Sequence, residues 1–152
     1  MSLPAWPPEP RRGDRRADGA PGPGQPSRAS AWSVGRLPPL GRVFSPGALH
    51  ERCHVVFVDA QRRQLGDASI GLGGLNVLSV RMREIFGEAL RLDPRGMILA
   101  HNHPSGHCRP SGSDIIATRR LAEVARALAI ALIDHLIFTD EAVYSMRAGG
   151  LL

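Results

Sequence analysis

The stretch GMILAHNHPSGHCRPSGSDIIATRRLAEVARAL, residues 96–128, changes its pattern twice. Met97, Ile98, Leu99 and Ala100 form a short apolar run bounded by Gly96 and by a polar cluster, which predicts a buried strand ending at His101 or His103. Over 115–128, Leu121, Val124, Ala125 and Leu128 recur at helical spacing while Arg119, Arg120, Glu123 and Arg126 fall opposite. That pattern predicts an amphipathic helix. Between strand and helix, Pro104, Gly106, Pro110 and Gly112 let the loop fold back tightly.

Upstream, Ser45 and Pro46 open a predicted short helical stretch that ends near Glu51. A β-branched strand follows over 54–59, then a turn over 61–64 and a second, Gly-weakened strand over 67–72 that pairs antiparallel with the first. Ser79 is the expected cap of a helix over 80–92, with Val80, Met82, Ile85, Phe86, Ala89 and Leu90 near a 3.6-residue period, and the residues around Pro94 and Gly96 stop it. Downstream, 130–139 and 142–146 read as two more strands. Helix, two strands, helix, strand, helix, two strands is the order of an α/β domain whose mixed sheet is covered by helices.

Ahead of this domain the texture differs. Ten of the thirteen prolines fall at or before Pro46, among Gly, Arg and Ser, so residues 1–43 lack the apolar surface to offset their ordering entropy and are expected to be disordered. They carry seven arginines against Glu9, Asp14 and Asp18, whereas residues 44–152 carry twelve against eleven acids. The folded part is nearly neutral, and a weak nucleic-acid contact, if any, is expected from the Arg-rich head. All nineteen basic residues are Arg, which reads as compositional bias rather than selection for phosphate contacts. Cys53 and Cys108 are too few for a disulfide framework and are expected to stay reduced. No apolar signal core follows the paired arginines near the N-terminus, and the longest apolar run, 127–133, is too short to span a bilayer. A soluble, cytoplasmic protein with no membrane partner is the expectation.

The chemistry is concentrated in residues 101–114. In a strand, residues two apart share a face, so His101 and His103 project together with Asn102 turned away. Two imidazoles so placed suit one metal ion. A catalytic zinc site takes three protein ligands of N and O type plus a water, and Asp114, at the start of the helix, can supply the third. Ser111 stands three residues before it, where a hydroxyl can donate to a developing oxyanion. The same Ser-Gly-Ser-Asp is equally an ordinary helix cap. No carboxylate in the loop is left to act as general base, so the base has to come from elsewhere in the chain. The letters HNH do not reproduce the nuclease motif of that name, whose residues are spread over a longer ββα unit.

His-Asn-His-Pro followed by Ser111 and Asp114 resembles the H-x-H-x7-S-x-x-D pattern of the JAMM (JAB/MPN) metalloproteases. More closely, the chain is similar to the catalytic domain of the bacterial RadC family, through HVVFVDAQRR (54–63), GLN (74–76), REIF (83–86), ILAHNHPSG (98–106), DHLI (134–137) and YSMRAGGLL (144–152). The similarity runs from about residue 44 to the end. It implies a cytidine-deaminase-like α/β architecture, Zn²⁺ held by His101, His103 and Asp114, a transition-state contact from Ser111, and a glutamate base just before the first strand. Glu51 occupies that place, with Glu84 and Glu88 as weaker candidates on the polar side of their helix. His135, within DHLI, reads as a structural hydrogen-bonding residue. This loop reads HPSGHCRPS where family members commonly read HPSGDPTPS, so His107 and Cys108 bring two further ligand types into it. The helix-hairpin-helix region usual in full-length members has no counterpart in residues 1–43, which weakens the DNA-repair association.

The leading expectation is a zinc-dependent metallohydrolase acting on a peptide or isopeptide bond of a peptide or protein substrate, with Glu51 and Ser111 as its catalytic residues. A non-catalytic or DNA-associated interaction module linked to repair is the alternative, and a metal-dependent nuclease a third reading. The sequence does not specify the oligomeric state.

Overall fold

A computed structural model describes residues 43–44, 47–70 and 77–152. The expected disordered head, apart from Val43, lies outside the described residues, as do Ser45, Pro46 and the GLN segment at 74–76. The elements are β1 (Cys53–Val58), β2 (Gln64–Ile70), α1 (Val77–Leu92), β3 (Gly96–Asn102), α2 (Gly112–Ala127), β4 (Ala131–Phe138) and β5 (Val143–Ser145). They build one five-stranded sheet in the order β2-β1-β3-β4-β5. β3 and β4 are parallel, joined through α2, and the other neighbours are antiparallel. This is the expected α/β domain with a mixed sheet.

β1 and β3 are buried along their whole length, which is why CHVVFV and GMILAHN read as near-continuous apolar runs. Side chains alternate between two cores. Val55, Phe57, Met97 and Leu99 pack on Ile85, Phe86 and Ala89 of α1 and on Leu121 and Ala125 of α2, so both described helices cover one face. Val56, Val58, Ile98 and Ala100 point to the other face, where Phe44 covers them. Among the described residues, no helix is long and apolar enough to cross a membrane. Cys53 is buried, Cys108 half-buried, and no disulfide joins them.

Two expectations are corrected. Residues 47–52 are turn and bends rather than helix. Gly47 takes a φ of +74°, its N–H donates to the Asp140 carboxylate (3.1 and 3.2 Å), and the Asn102 side chain binds the backbone of His50 and Arg52, so long-range hydrogen bonds take the place of helical ones in this segment. Ser79 is inside α1, which begins at Val77.

The pairing of β3 with β4 contains a bulge. Met97 lies opposite Leu132 and Ile98 opposite Asp134, so Ile133 is the extra residue. Leu132 faces the helices and, three residues on, so does His135, which a regular strand would turn the other way. Asp134 is buried on the opposite side, accepting from the backbone N–H of His135 (2.7 Å), that of Arg147 (3.1 Å) and the Ser145 hydroxyl (2.5 Å). One carboxylate thus ties the bulge to the C-terminal turn. Replacing Asp134 with Ala leaves those donors unmatched, and the expected loss is about 3 kcal/mol of unfolding free energy, read as a lowered urea midpoint with an unchanged slope.

Candidate metal centre

The sheet and α2 converge at the C-terminal end of β3. His101 is the next-to-last residue of β3 and is buried, while His103 follows the strand end with its backbone N–H donating to the Phe138 carbonyl (2.8 Å). The chain then turns through Gly106, which has a φ of +78° and closes a hydrogen bond to the His103 carbonyl (3.1 Å). Asp114 belongs to the first turn of α2, at the head of the stripe Asp114, Thr118, Leu121, Ala125 that faces the sheet.

Ser111 and Asp114 make a capping box. Ser111 Oγ accepts from the Asp114 N–H (3.2 Å), and Asp114 Oδ2 accepts from the Ser111 N–H (2.7 Å) and hydroxyl (2.6 Å). The cap does not compete with a site. It aims the carboxylate, because Asp114 Oδ1 is 3.5 Å from His101 Nε2 and Oδ2 is 3.4 Å from His103 Nε2. Ligand atoms on a tetrahedral zinc with bonds of about 2.0–2.1 Å lie about 3.3 Å apart, and each imidazole has one of the two carboxylate oxygens near that distance. The two Nε2 atoms are closer, at 2.8 Å. Among the described residues, His101, His103 and Asp114 form a group whose ligand atoms all lie within 4.8 Å of one another and could hold a metal ion.

The charge state suits a cation. Burial pushes the Asp114 carboxyl up, but its two hydrogen bonds from Ser111 and the nearby His101 and His103 outweigh it and hold the group below the ordinary range. His103 Nδ1 donates to the His107 carbonyl (2.7 Å), an atom that can only accept, so a neutral His103 turns the lone pair of Nε2 toward His101. Two ring nitrogens 2.8 Å apart need a shared proton or a metal ion between them. Behind His101, His135 is kept neutral, its pKa pulled down to about 3 mainly by burial and then by His101, against the pull of Asp114.

The remaining expected residues sort by position. His107 contributes its carbonyl, and neither its exposed side chain nor half-buried Cys108 joins the ligand group. Glu84 is exposed on α1, and Glu88 is paired with Arg91 (2.5 Å). Cys53 pairs with His101, and the Asn102 N–H donates to the Arg52 carbonyl (3.2 Å), so half-buried Glu51 lies two residues before β1, at the end of the sheet where β3 delivers His101 and His103. Asn102 also clamps both sides of Glu51, its Oδ1 accepting from Arg52 N–H (2.7 Å) and its Nδ2 donating to the His50 carbonyl (3.1 Å). Sequence reasoning assigned Asn102 no partner and overlooked Thr118, although Thr118 lies one helical turn beyond Asp114 on the same face.

Because the cap orients Asp114, Ser111→Ala is expected to cost about 1 kcal/mol of stability. Ser111→Thr, which retains the acceptor oxygen, should stay near the wild-type denaturation midpoint.

The comparisons with known proteins agree with this geometry. Residues 40–151 match the family model described as the RadC-like JAB domain. The chain is 41% identical over 102 residues to a UPF0758 protein of Desulfitobacterium hafniense, covering 67% of this chain and 45% of that one. It is 39% identical over 101 residues to a UPF0758 protein of Roseiflexus castenholzii (66% and 43%) and 36% identical over 113 residues to one of Acidithiobacillus ferrooxidans (72% and 50%). The chain thus spans about half the length of these relatives. With three quarters of its residues matched, and with the clustered histidines and aspartate at the strand-to-helix junction, it belongs to the RadC-like JAB domain family.

Proposed function

We propose that this domain is a zinc-dependent metallohydrolase of the JAMM type that cleaves a peptide or isopeptide bond in a peptide or protein substrate. The observation that carries the reading is the convergence of two imidazole nitrogens and an ionised carboxylate within 4.8 Å, a three-ligand set of the kind that leaves a coordination position for water. His101, His103 and Asp114 would hold the ion. When bound, zinc lowers the pKa of its water to near neutrality and polarises a carbonyl.

The chain's own groups account for the rest of the chemistry. Glu51, two residues before β1 at the end of the sheet that carries His101 and His103, takes the proton of the attacking water and returns it to the leaving amine. Its main chain is clamped on both sides by Asn102, which limits how far the carboxylate can drift. Ser111 keeps the cap through its acceptor lone pair, so its one proton, directed here to Asp114 Oδ2, can be re-aimed at the oxyanion without unfastening α2.

Metal analysis of purified protein should give about one zinc per chain, as for a mononuclear site. In a chelator-controlled substrate-profiling assay, Glu51→Gln is expected to keep the zinc and lose about 10²- to 10⁴-fold in hydrolysis. His103→Ala should lose both metal and activity. Full activity in the Glu51→Gln protein would remove the base assignment while leaving the metal site intact.

A further inference from the structure

The hydrogen bonds behind His101 run in one direction. Thr118 Oγ1 lies 2.5 Å from the Asp114 carbonyl, which can only accept, so the hydroxyl proton points there. The other acceptor within reach, Met146 Sδ at 3.6 Å, is a weak one. With its proton committed, Thr118 Oγ1 must accept from His135 Nδ1, 2.6 Å away. A neutral imidazole carries one N–H, so His135 Nε2 is an acceptor, and His101 Nδ1 at 2.7 Å has to donate to it. His101 therefore holds its proton on Nδ1 and directs the lone pair of Nε2 toward His103 and Asp114.

We propose that His135 and Thr118 are positioning residues that lock His101 in its metal-binding tautomer and tie it to Asp114. The proposal rests on the metal reading given above. The chain begins at the backbone carbonyl of Asp114 and ends at the imidazole that the Asp114 carboxylate faces across the site, so the relay and the ligand group close one loop. Ligands from two elements, β3 and α2, are thereby fixed relative to each other by a path that does not pass through the metal. His135 reaches this place through the bulge at Ile133, which turns it to the helix face beside Leu99. Thr118 reaches it by being four residues after Asp114, one turn along the buried stripe. At 2% exposure His135 has no access to substrate, and its part is played through His101. Such partners of metal-bound histidines fix ring orientation and raise ligand basicity, and their loss commonly weakens metal binding about 10- to 100-fold.

The test uses the full chain and two readouts other than activity. Zinc affinity is measured by chelator competition for wild type, His135→Phe, His135→Gln, Thr118→Val and His101→Ala. The imidazole tautomers of the metal-free wild type are read from long-range proton–nitrogen NMR correlations. The expected results are an Nδ1–H tautomer at His101, an affinity lowered about 10- to 100-fold in His135→Phe, and a smaller loss in Thr118→Val. Affinity should largely return in His135→Gln, whose amide can both accept from His101 and donate to Thr118. Wild-type affinity in both His135→Phe and Thr118→Val, or an Nε2–H tautomer at His101, would overturn the proposal while leaving the metal site standing if His101→Ala alone abolishes binding. If His135→Phe does not fold, Thr118→Val and the NMR measurement decide. Failure of wild type itself to bind zinc removes the metal reading and the proposal with it.

Discussion

The Asp114 carboxylate is held by α2 and used across the gap to β3. Its Oδ2 closes the capping box with Ser111, and both its oxygens approach the two imidazoles at 3.4 and 3.5 Å. The position at which α2 begins is thus also the position of the third candidate ligand. The parallel arrangement of β3 and β4 requires a crossover, the crossover is α2, and its N-terminal turn arrives beside the end of β3. An ionised carboxylate is favoured at a helix N-terminus in its own right, so the charge that a cation would need is already stabilised by the backbone. Folding and site assembly depend on the same few hydrogen bonds.

The local parts of this arrangement could be read from residues alone. His101 and His103 share a face because they are two apart at a strand end, and Asp114 and Ser111 follow within one loop and one helical turn. Cap and ligand looked like rival readings of Ser-Gly-Ser-Asp, and the structure shows that the capping box itself sets the Asp114 carboxylate beside the two imidazoles. What stayed hidden depended on distant chain. The bulge at Ile133 has no sequence mark, and strict alternation through β4 would put Leu132 and His135 on opposite faces. The segment 47–52 has helical-looking composition after Pro46, but Asp140 and Asn102, 93 and 50 residues away from Gly47 and Arg52, supply the hydrogen bonds that settle it. Propensity gave way to tertiary contacts there, as it commonly does in short segments.

Asn102 illustrates how one residue can serve the site from its far side. Alternation turns it away from the histidines, and for that reason its amide is free to meet the strand-entry segment, with bonds to residues 50 and 52. The middle letter of His-Asn-His therefore governs where Glu51 sits, while the outer two govern where a metal would sit. A small aliphatic residue at 102 would preserve the strand and remove the partner of the His50 carbonyl and the Arg52 N–H.

The two imidazoles are supported unequally, and this bears on the altered loop. His101 is 3% exposed and backed by side chains of β4 and α2, whereas the His103 side chain is 14% exposed and backed by the His107 carbonyl. The His107 contact is made by backbone, so it survives a change of side chain at that position. That explains how a loop reading HPSGHCRPS can orient His103 without recruiting either the imidazole of His107 or the thiol of Cys108 as a ligand. His101 is thus backed by side chains of β4 and α2, whereas His103 is held by backbone, its N–H on the Phe138 carbonyl and its Nδ1 on the His107 carbonyl.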